Sequence, residues 1–257
     1  MAAPIKLLII NPNSSQSITD GLREALDPVC PPGVELVYYT APSHAPPSIN
    51  DFATATLTAV ACLEDIKAKK LHEAYDGFLV SCCAPTPSRS GSRADPRRSI
   101  AVSDHPLHHM LRELLGPTSS RPAIGIFEAG IAAALLLSYR FGVVSTGTGL
   151  KPLMTKGVSA FLGANGSDRW AGVVTTGLGV VELRDGDPAK IEKGMKDAAV
   201  EVVRKGANVL LMGCAGMAGM EGMIKEGVRE AGLGEVKVVD GAKAGVELLA
   251  GLVRLQR

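Results

Sequence analysis

The decisive stretch is NVLLMGCAGM, residues 208–217, in which a short apolar run ends in a glycine, a cysteine and a turn of small residues. The stretch GFLVSC, residues 77–82, has the same construction. Short apolar runs bounded by turn residues are typical of strands that are buried on both faces. Both stretches therefore predict a buried strand with a cysteine, Cys82 or Cys214, at its carboxyl end.

The rest of the chain repeats this pattern of a short apolar strand followed by a helix. Further strands are predicted at residues 5–10, 34–39, 123–127, 141–144, 172–176 and 236–239. Helices are predicted at residues 18–26, 51–70, 129–139, 152–162, 188–205, 220–231 and 242–255. Such alternation predicts an α/β protein with parallel sheets covered by helices. Two small doubly wound halves fit this length better than the alternative, a closed eight-stranded barrel.

The division into halves is predicted from a turn-rich stretch, GPTSSR, at residues 116–121. We expect a first half of residues 1–117 and about 218–257, since chain ends in such proteins often cross back, and a second half of residues 118–217. Residues 84–103 break the pattern with proline, serine, glycine and four arginines. A structureless segment of this length is uncommon inside a compact domain. We interpret it as an irregular surface insertion, and a basic binding loop is the alternative.

The amino-acid composition argues against a nucleic-acid-binding protein and against a membrane protein. The 257 residues are 46% hydrophobic, and 27 basic side chains nearly balance 26 acidic ones, so no attraction to nucleic acid is expected. No apolar run is long enough for a membrane helix. Five cysteines without framework spacing, and no leader segment, predict reduced thiols in a cytoplasmic, soluble protein.

The ends of the predicted strands carry the candidate binding residues. Ligands bind at the carboxyl ends of parallel strands, which singles out Asn11, Asn13, Ser14, Ser81, Thr146, Thr148, Gly213 and Ala215. The stretch NPNSS, residues 11–15, equally suits a turn and a helix N-cap. The stretch STGTG, residues 145–149, lacks the Gly-Lys-Ser/Thr ending of a phosphate-binding loop.

Cys82 and Cys214 are the candidate catalytic residues, although a single buried cysteine is more often a small hydrophobe. On the two walls of a cleft, one thiolate could remove a proton from a carbon acid while the other thiol protonates the opposite face. Such chemistry needs no metal or organic cofactor. Cys83 is expected to point the other way, because side chains alternate along a strand. The histidines form no metal-ligand pattern with the cysteines, and His108–His109 is expected at the solvated surface.

Several motifs together resemble the aspartate/glutamate/hydantoin racemase superfamily, most closely its hydantoin and allantoin racemase branch and the fungal relatives named for nitrogen-catabolite control. The motifs are INPNSS (10–15), LVSC (79–82), HPL (105–107), IGIFEA (124–129), RFGVVST (140–146) and LLMGCAGM (210–217). The resemblance implies two Rossmann-like halves related by a pseudo-two-fold axis, with a cofactor-independent active site in the cleft between them.

The resemblance also assigns roles to particular residues. It implies that Cys82 and Cys214 are the two acid–base groups. It further implies that the Asn11–Asn13 and Thr146–Thr148 loops contact the substrate. In fungal members a Ser-x-His-Pro-Leu stretch follows the first cysteine almost at once. Here SDHPL, residues 103–107, arrives only after residues 84–103, which implies an insertion beside Cys82.

The expected function is inversion of the C5 carbon of a hydantoin-type ring, a 5-substituted hydantoin or allantoin. The alternatives are an amino-acid racemase, decarboxylase or cis-trans isomerase of the same superfamily, or a small-molecule-binding protein without turnover. The expected partner is the small-molecule substrate, with neither nucleic acid nor membrane, and a homo-oligomer is a further possibility.

Overall fold

The computed structural model describes residues 3–83, 104–147, 149, 151–164 and 166–257. Its strands are β1 (Ile5–Asn11), β2 (Val34–Thr40), β3 (Gly77–Val80), β4 (Ala123–Gly125), β5 (Phe141–Ser145), β6 (Trp170–Thr175), β7 (Val209–Met212) and β8 (Lys237–Asp240). Its helices are α1 (Gln16–Leu26), α2 (Phe52–Ala68), α3 (Leu71–Ala74), α4 (Pro106–Leu115), α5 (Ile126–Leu137), α6 (Lys151–Leu162), α7 (Glu182–Asp185), α8 (Pro188–Arg204), α9 (Glu221–Glu230) and α10 (Gly241–Leu255). All eight predicted strands and all seven predicted helices are confirmed, with small differences at their ends.

The predicted insertion at residues 84–103 lies outside the described residues. None of the helices in the described part of the chain combines the length and the apolar composition that crossing a bilayer requires.

The strands form two separate four-stranded parallel sheets, as expected for two α/β halves and not for a closed barrel. Their orders are β2-β1-β3-β4 and β6-β5-β7-β8, so the second sheet repeats the topology of the first. The central strands β3, β5 and β7 are buried along their whole length. Helices on both faces account for that burial and for the nearly continuous apolar sequence of these strands.

The two halves are joined by an exchange of helices. Helix α5 follows β4 of the first sheet but packs on β7 and β8 of the second, whereas α10 follows β8 and packs on β1, β3 and β4. The helices α5 and α10 also pack against each other. Each helix lies close to the sheet it packs on because it has a glycine at the contact. A Cβ at Gly130 of α5 would collide with Leu211 of β7, and a Cβ at Gly245 of α10 would collide with Leu79 of β3.

The predicted division at residue 117 was wrong for two strands. Strand β4 pairs with β3 in the first sheet, although residues 118–217 were assigned to the second half. Strand β8 pairs with β7 in the second sheet, although residues 218–257 were assigned to the first. Of the elements in residues 218–257, only helix α10 crosses back to the first half. The GPTSSR turn follows α4 and leads into the last strand of the first sheet, and turn composition does not encode which sheet that strand joins.

Helix α4 buries two histidines, so the surface position expected for His108 was wrong. His108 and His105 are fully buried. The Nδ1 atom of His105 accepts a hydrogen bond from the Leu107 N–H (3.3 Å), and its Nε2 lies 3.0 Å from the Thr58 hydroxyl. That hydroxyl already donates to the Ala55 carbonyl (3.0 Å), so Nε2 of His105 donates to it. A second proton on Nδ1 would face the Leu107 N–H, and the neutral ring is therefore favoured.

This arrangement predicts acid sensitivity. Burial, and secondarily the charge of His108, lower the pKa of His105 to about 3. In the unfolded chain the ring takes up a proton near pH 6.5, so the unfolded state binds more protons below that pH and stability falls as pH decreases. We expect His105 to account for about 2 kcal/mol of the stability lost between pH 7.5 and pH 5. Urea unfolding of the wild type and of His105→Gln at both pH values measures this difference, and an equal loss in the two proteins would contradict it.

Candidate active site

Cys82 and Cys214 occupy equivalent places in the two halves. Each lies three residues after the central leucine of its strand, Leu79 in β3 or Leu211 in β7. The residue before each cysteine donates its N–H to the neighbouring central strand: Ser81 to the Ile10 carbonyl and Gly213 to the Val144 carbonyl, both at 2.8 Å. The repeated topology thus delivers one thiol from each sheet.

Both thiols line the same cavity at the carboxyl ends of the two sheets. Its described lining consists of Asn13, Ile18, Ile49, Ser81, Cys82, Cys83, Thr146, Val180, Gly213, Cys214 and Ala215. The cavity volume is about 20 Å³, close to the space that a single water molecule needs. The structure brings the two cysteines together as expected, but it does not show a cleft open to a flat ring.

Most of the predicted binding residues lie at this cavity. They are Asn13, Ser81, Thr146, Gly213 and Ala215. The Gly213 N–H is already bonded to Val144, so Gly213 lines the cavity without offering that donor. Thr148 lies outside the described residues.

Asn11 and Ser14 do not line the cavity, because their side chains hold the loop that carries Asn13. The Asn11 amide donates to the Ser15 carbonyl (3.0 Å) and to the Thr19 hydroxyl (3.1 Å). The Ser14 hydroxyl donates to the Ala45 carbonyl (2.8 Å). The Asn13 side chain also serves the turn, because its amide oxygen accepts a hydrogen bond from the Ser15 N–H (3.0 Å). Of these three residues, Asn13 is the one that lines the cavity.

Ser81 offers a polar group that no other described residue uses. Its side chain is 2% exposed, and among the described residues its hydroxyl has no hydrogen-bond partner. Buried polar atoms are almost always paired. The unpaired Ser81 hydroxyl at the cavity is therefore a ready contact for a carbonyl or N–H group of a ligand.

Sequence reasoning missed several apolar residues of the site and misplaced Cys83. Ile18, Ile49 and Val180 line the cavity, and Ile49 packs directly on Cys82. Their spacing carries no signal beyond that of ordinary core residues. Cys83 lines the cavity beside Cys82 because β3 ends at Val80, so strand alternation no longer governs the two cysteines.

The two thiols have different electrostatic surroundings. Burial, followed by the nearby Cys214 and Asp104, raises the pKa of Cys82 well above its ordinary value. Burial also raises the pKa of Cys214, but the Gly216 N–H, the Thr146 hydroxyl and the charge of Arg184 oppose that rise. Cys214 is thus better able to carry a negative charge.

Two α/β halves of repeated topology, with one site shared between the ends of their central strands, define a two-lobed α/β enzyme. The sequence model of the family described as Asp/Glu/Hydantoin racemase matches residues 7–249. The chain belongs to this family and is an isomerase of the racemase type.

Individual relatives agree with this assignment. An uncharacterised protein of Schizosaccharomyces pombe is 34% identical over 252 residues, which cover 98% of this chain and 93% of that protein. A hydantoin racemase from a Pseudomonas species is 27% identical, covering 98% and 87% of the two chains. The crystal structure of an allantoin racemase from Pseudomonas fluorescens superimposes with a TM-score of 0.76 at 26% identity, covering 98% and 92%.

Proposed function

We propose that this protein racemises the C5 carbon of a hydantoin-type ring, a 5-substituted hydantoin or allantoin, with Cys82 and Cys214 as its two acid–base groups. The observation that carries the proposal is the convergence of these two thiols, from equivalent strand ends of two sheets, on one cavity. The similarity to a hydantoin racemase and to an allantoin racemase supports the choice of ring.

The proposed reaction exchanges one proton for another at C5. A thiolate takes the C5 proton, forming S–H, and the electron pair of the broken C–H bond moves onto the adjacent ring carbonyl as an enolate. The opposite thiol then donates its proton to the other face of C5 as the carbonyl reforms. The developing oxyanion needs a donor, and the candidates are the Asn13 amide and the Ser81 hydroxyl, which has no partner among the described residues. The scheme uses no cofactor.

The character of the cavity favours an uncharged ring over a free amino acid. The described residues that line it include no side chain of Lys, Arg, Asp or Glu. A buried carboxylate or ammonium group without a partner is costly, whereas hydantoin carbonyl and N–H groups are neutral and match hydroxyl and amide partners. Since the cavity holds about 20 Å³ in this structure, ring binding requires its walls to move apart.

Solvent deuterium tests the proposal directly. Enantiopure allantoin and an enantiopure 5-substituted hydantoin are incubated with the wild-type protein in D2O, beside blanks without protein. We expect optical rotation to decay faster than in the blank while deuterium enters C5, because each inversion replaces the C5 proton by one from solvent. Glutamate and an arylmalonate are the comparison substrates. Decay no faster than the blank for both rings, or turnover only of a comparison substrate, would overturn the proposal.

A further inference from the structure

Arg184 lies next to the turn that follows Cys214. It belongs to the short helix α7, and its Nη2 donates to the Ala218 carbonyl (2.8 Å) at the end of the 3-10 turn Ala215–Met217. On its other side the guanidinium fills the space that a side chain at Gly21 of α1 would occupy. The half-buried Arg184 guanidinium therefore lies between α1 and the loop that carries Cys214.

The described hydrogen-bond partners of Arg184 compensate its positive charge only weakly. Its hydrogen bond goes to a neutral carbonyl, and its buried Nε has no partner among the described residues. A charge in such a partly dehydrated place acts more strongly on its neighbours than one in water. Among the described residues, the thiols of Cys82 and Cys83 lie close enough to Cys214 to interact with it, and Arg184 is a cation whose charge favours the Cys214 thiolate.

Among the residues that the structure describes, no cation is found to act on Cys82. Ile49 packs on it, and the ionisable neighbours that act on it are Cys214, Asp104 and Cys62, all of which disfavour a thiolate. Within the described part of the chain, the otherwise symmetric pair of strand ends is therefore asymmetric in charge.

We propose that Arg184 is a positioning residue that favours the ionised form of Cys214, so that Cys214 and not Cys82 is the base of the resting enzyme. The proposal rests on the proposed two-cysteine function and adds a division of roles to it. The opposing effects on the pKa of Cys214 support it: burial raises that pKa, whereas the Gly216 N–H, the Thr146 hydroxyl and Arg184 lower it.

The first test measures the thiol itself and needs no substrate. Alkylation of Cys214 by iodoacetamide is followed against pH by peptide mass spectrometry in a Cys82→Ser background. We expect Arg184→Gln, which keeps an N–H donor for the Ala218 carbonyl but lacks the charge, to raise the midpoint of the pH profile by about one unit. Arg184→Lys, which keeps the charge, should have a midpoint close to that of the protein with Arg184.

Arg140 provides the matched control. It is also half-buried, and its Nε has no partner in the described part of the chain, but it precedes β5 at the end of the sheet opposite the cavity. Arg140→Gln should leave the midpoint unchanged. If Arg184→Gln does not fold, Gly21→Ser, which obliges the guanidinium to move, should raise the midpoint in the same direction. An unchanged midpoint in whichever of these two variants folds would overturn the inference.

A second test joins the inference to the proposed function. Of the two proposed acid–base groups, Cys82→Ser leaves Cys214 to exchange the C5 proton, and Cys214→Ser leaves Cys82. Arg184→Gln should raise the pH at which exchange begins in the first background and leave it unchanged in the second. An equal effect in both would mean that Arg184 acts on the fold in general. A shifted alkylation profile without any C5 exchange in the wild type would refute the substrate and leave the role of Arg184 intact.

Discussion

Cys82→Ser and Cys214→Ser are each expected to lower the rate of racemisation by about 100- to 10,000-fold, the range typical of a lost acid–base group. A serine hydroxyl does not ionise near neutral pH and cannot take the C5 proton. The two thiols converge on one cavity from different sheets, so in the proposed mechanism each serves one face of the ring. Polarimetry with either enantiomer measures the loss.

Exchange without inversion is the signature that separates this mechanism from simple damage to the site. Each single variant should still exchange the C5 proton of one enantiomer with D2O, and the two variants should differ in which enantiomer that is. Cys30→Ser is the control, since Cys30 lies away from the cavity and its thiol contacts the Val34 carbonyl (3.3 Å), a bond that serine can keep. Racemisation at the wild-type rate in either site variant would exclude the two-thiol mechanism.

Two glycines of helix α10 are expected to give stability changes of opposite sign when replaced by alanine. A Cβ at Gly241 would lie 2.6 Å from the carbonyl oxygen of Ile126, at the point where α10 meets the first residue of α5. That obstacle is backbone, so the two exchanged helices would have to separate. We expect Gly241→Ala to lower the free energy of unfolding by about 1–3 kcal/mol, as overpacking does.

Gly251→Ala, in the same helix, is the matched control. No atom lies within 4 Å of a Cβ at Gly251, and alanine restricts the unfolded chain more than glycine does. This variant should raise the free energy of unfolding by about 0.5–1 kcal/mol. Urea titrations of both variants measure the difference. Equal changes in the two would show that helix propensity, and not the contact between α5 and α10, governs this helix.

The strands were predictable because burial on both faces requires a short run of apolar residues, which can be recognised in the local sequence. Each strand of a parallel sheet between helix layers is a short apolar run, and β3, β5 and β7 show this in their sequence. Helix α4 was not assigned, since it directly follows the aperiodic residues 84–103 and opens with a Pro-Leu-His-His stretch. His108, which this helix buries, was consequently predicted at the solvated surface together with His109.

The candidate site was predictable only in outline. The thiols and the polar strand ends could be listed because ligands bind where parallel strands end. Which of these groups face the cavity depends on hydrogen bonds that no motif encodes. The Asn11 amide is used inside its own loop and the Ser14 hydroxyl bonds to the Ala45 carbonyl of another loop, whereas the Ser81 hydroxyl is left without a described partner.

The sequence by itself determined the two α/β halves and the paired strand-end cysteines, because strand burial and the order of elements along the chain are local properties. Only the tertiary structure decided that β4 and β8 close their own sheets, that α5 and α10 change places, and that Arg184 bonds to the turn that follows Cys214. Those outcomes depend on which surfaces meet in space. Arg184 and Cys214 are thirty positions apart in the sequence, and the charge of one affects the ionisation of the other strongly only once packing has removed water from between them.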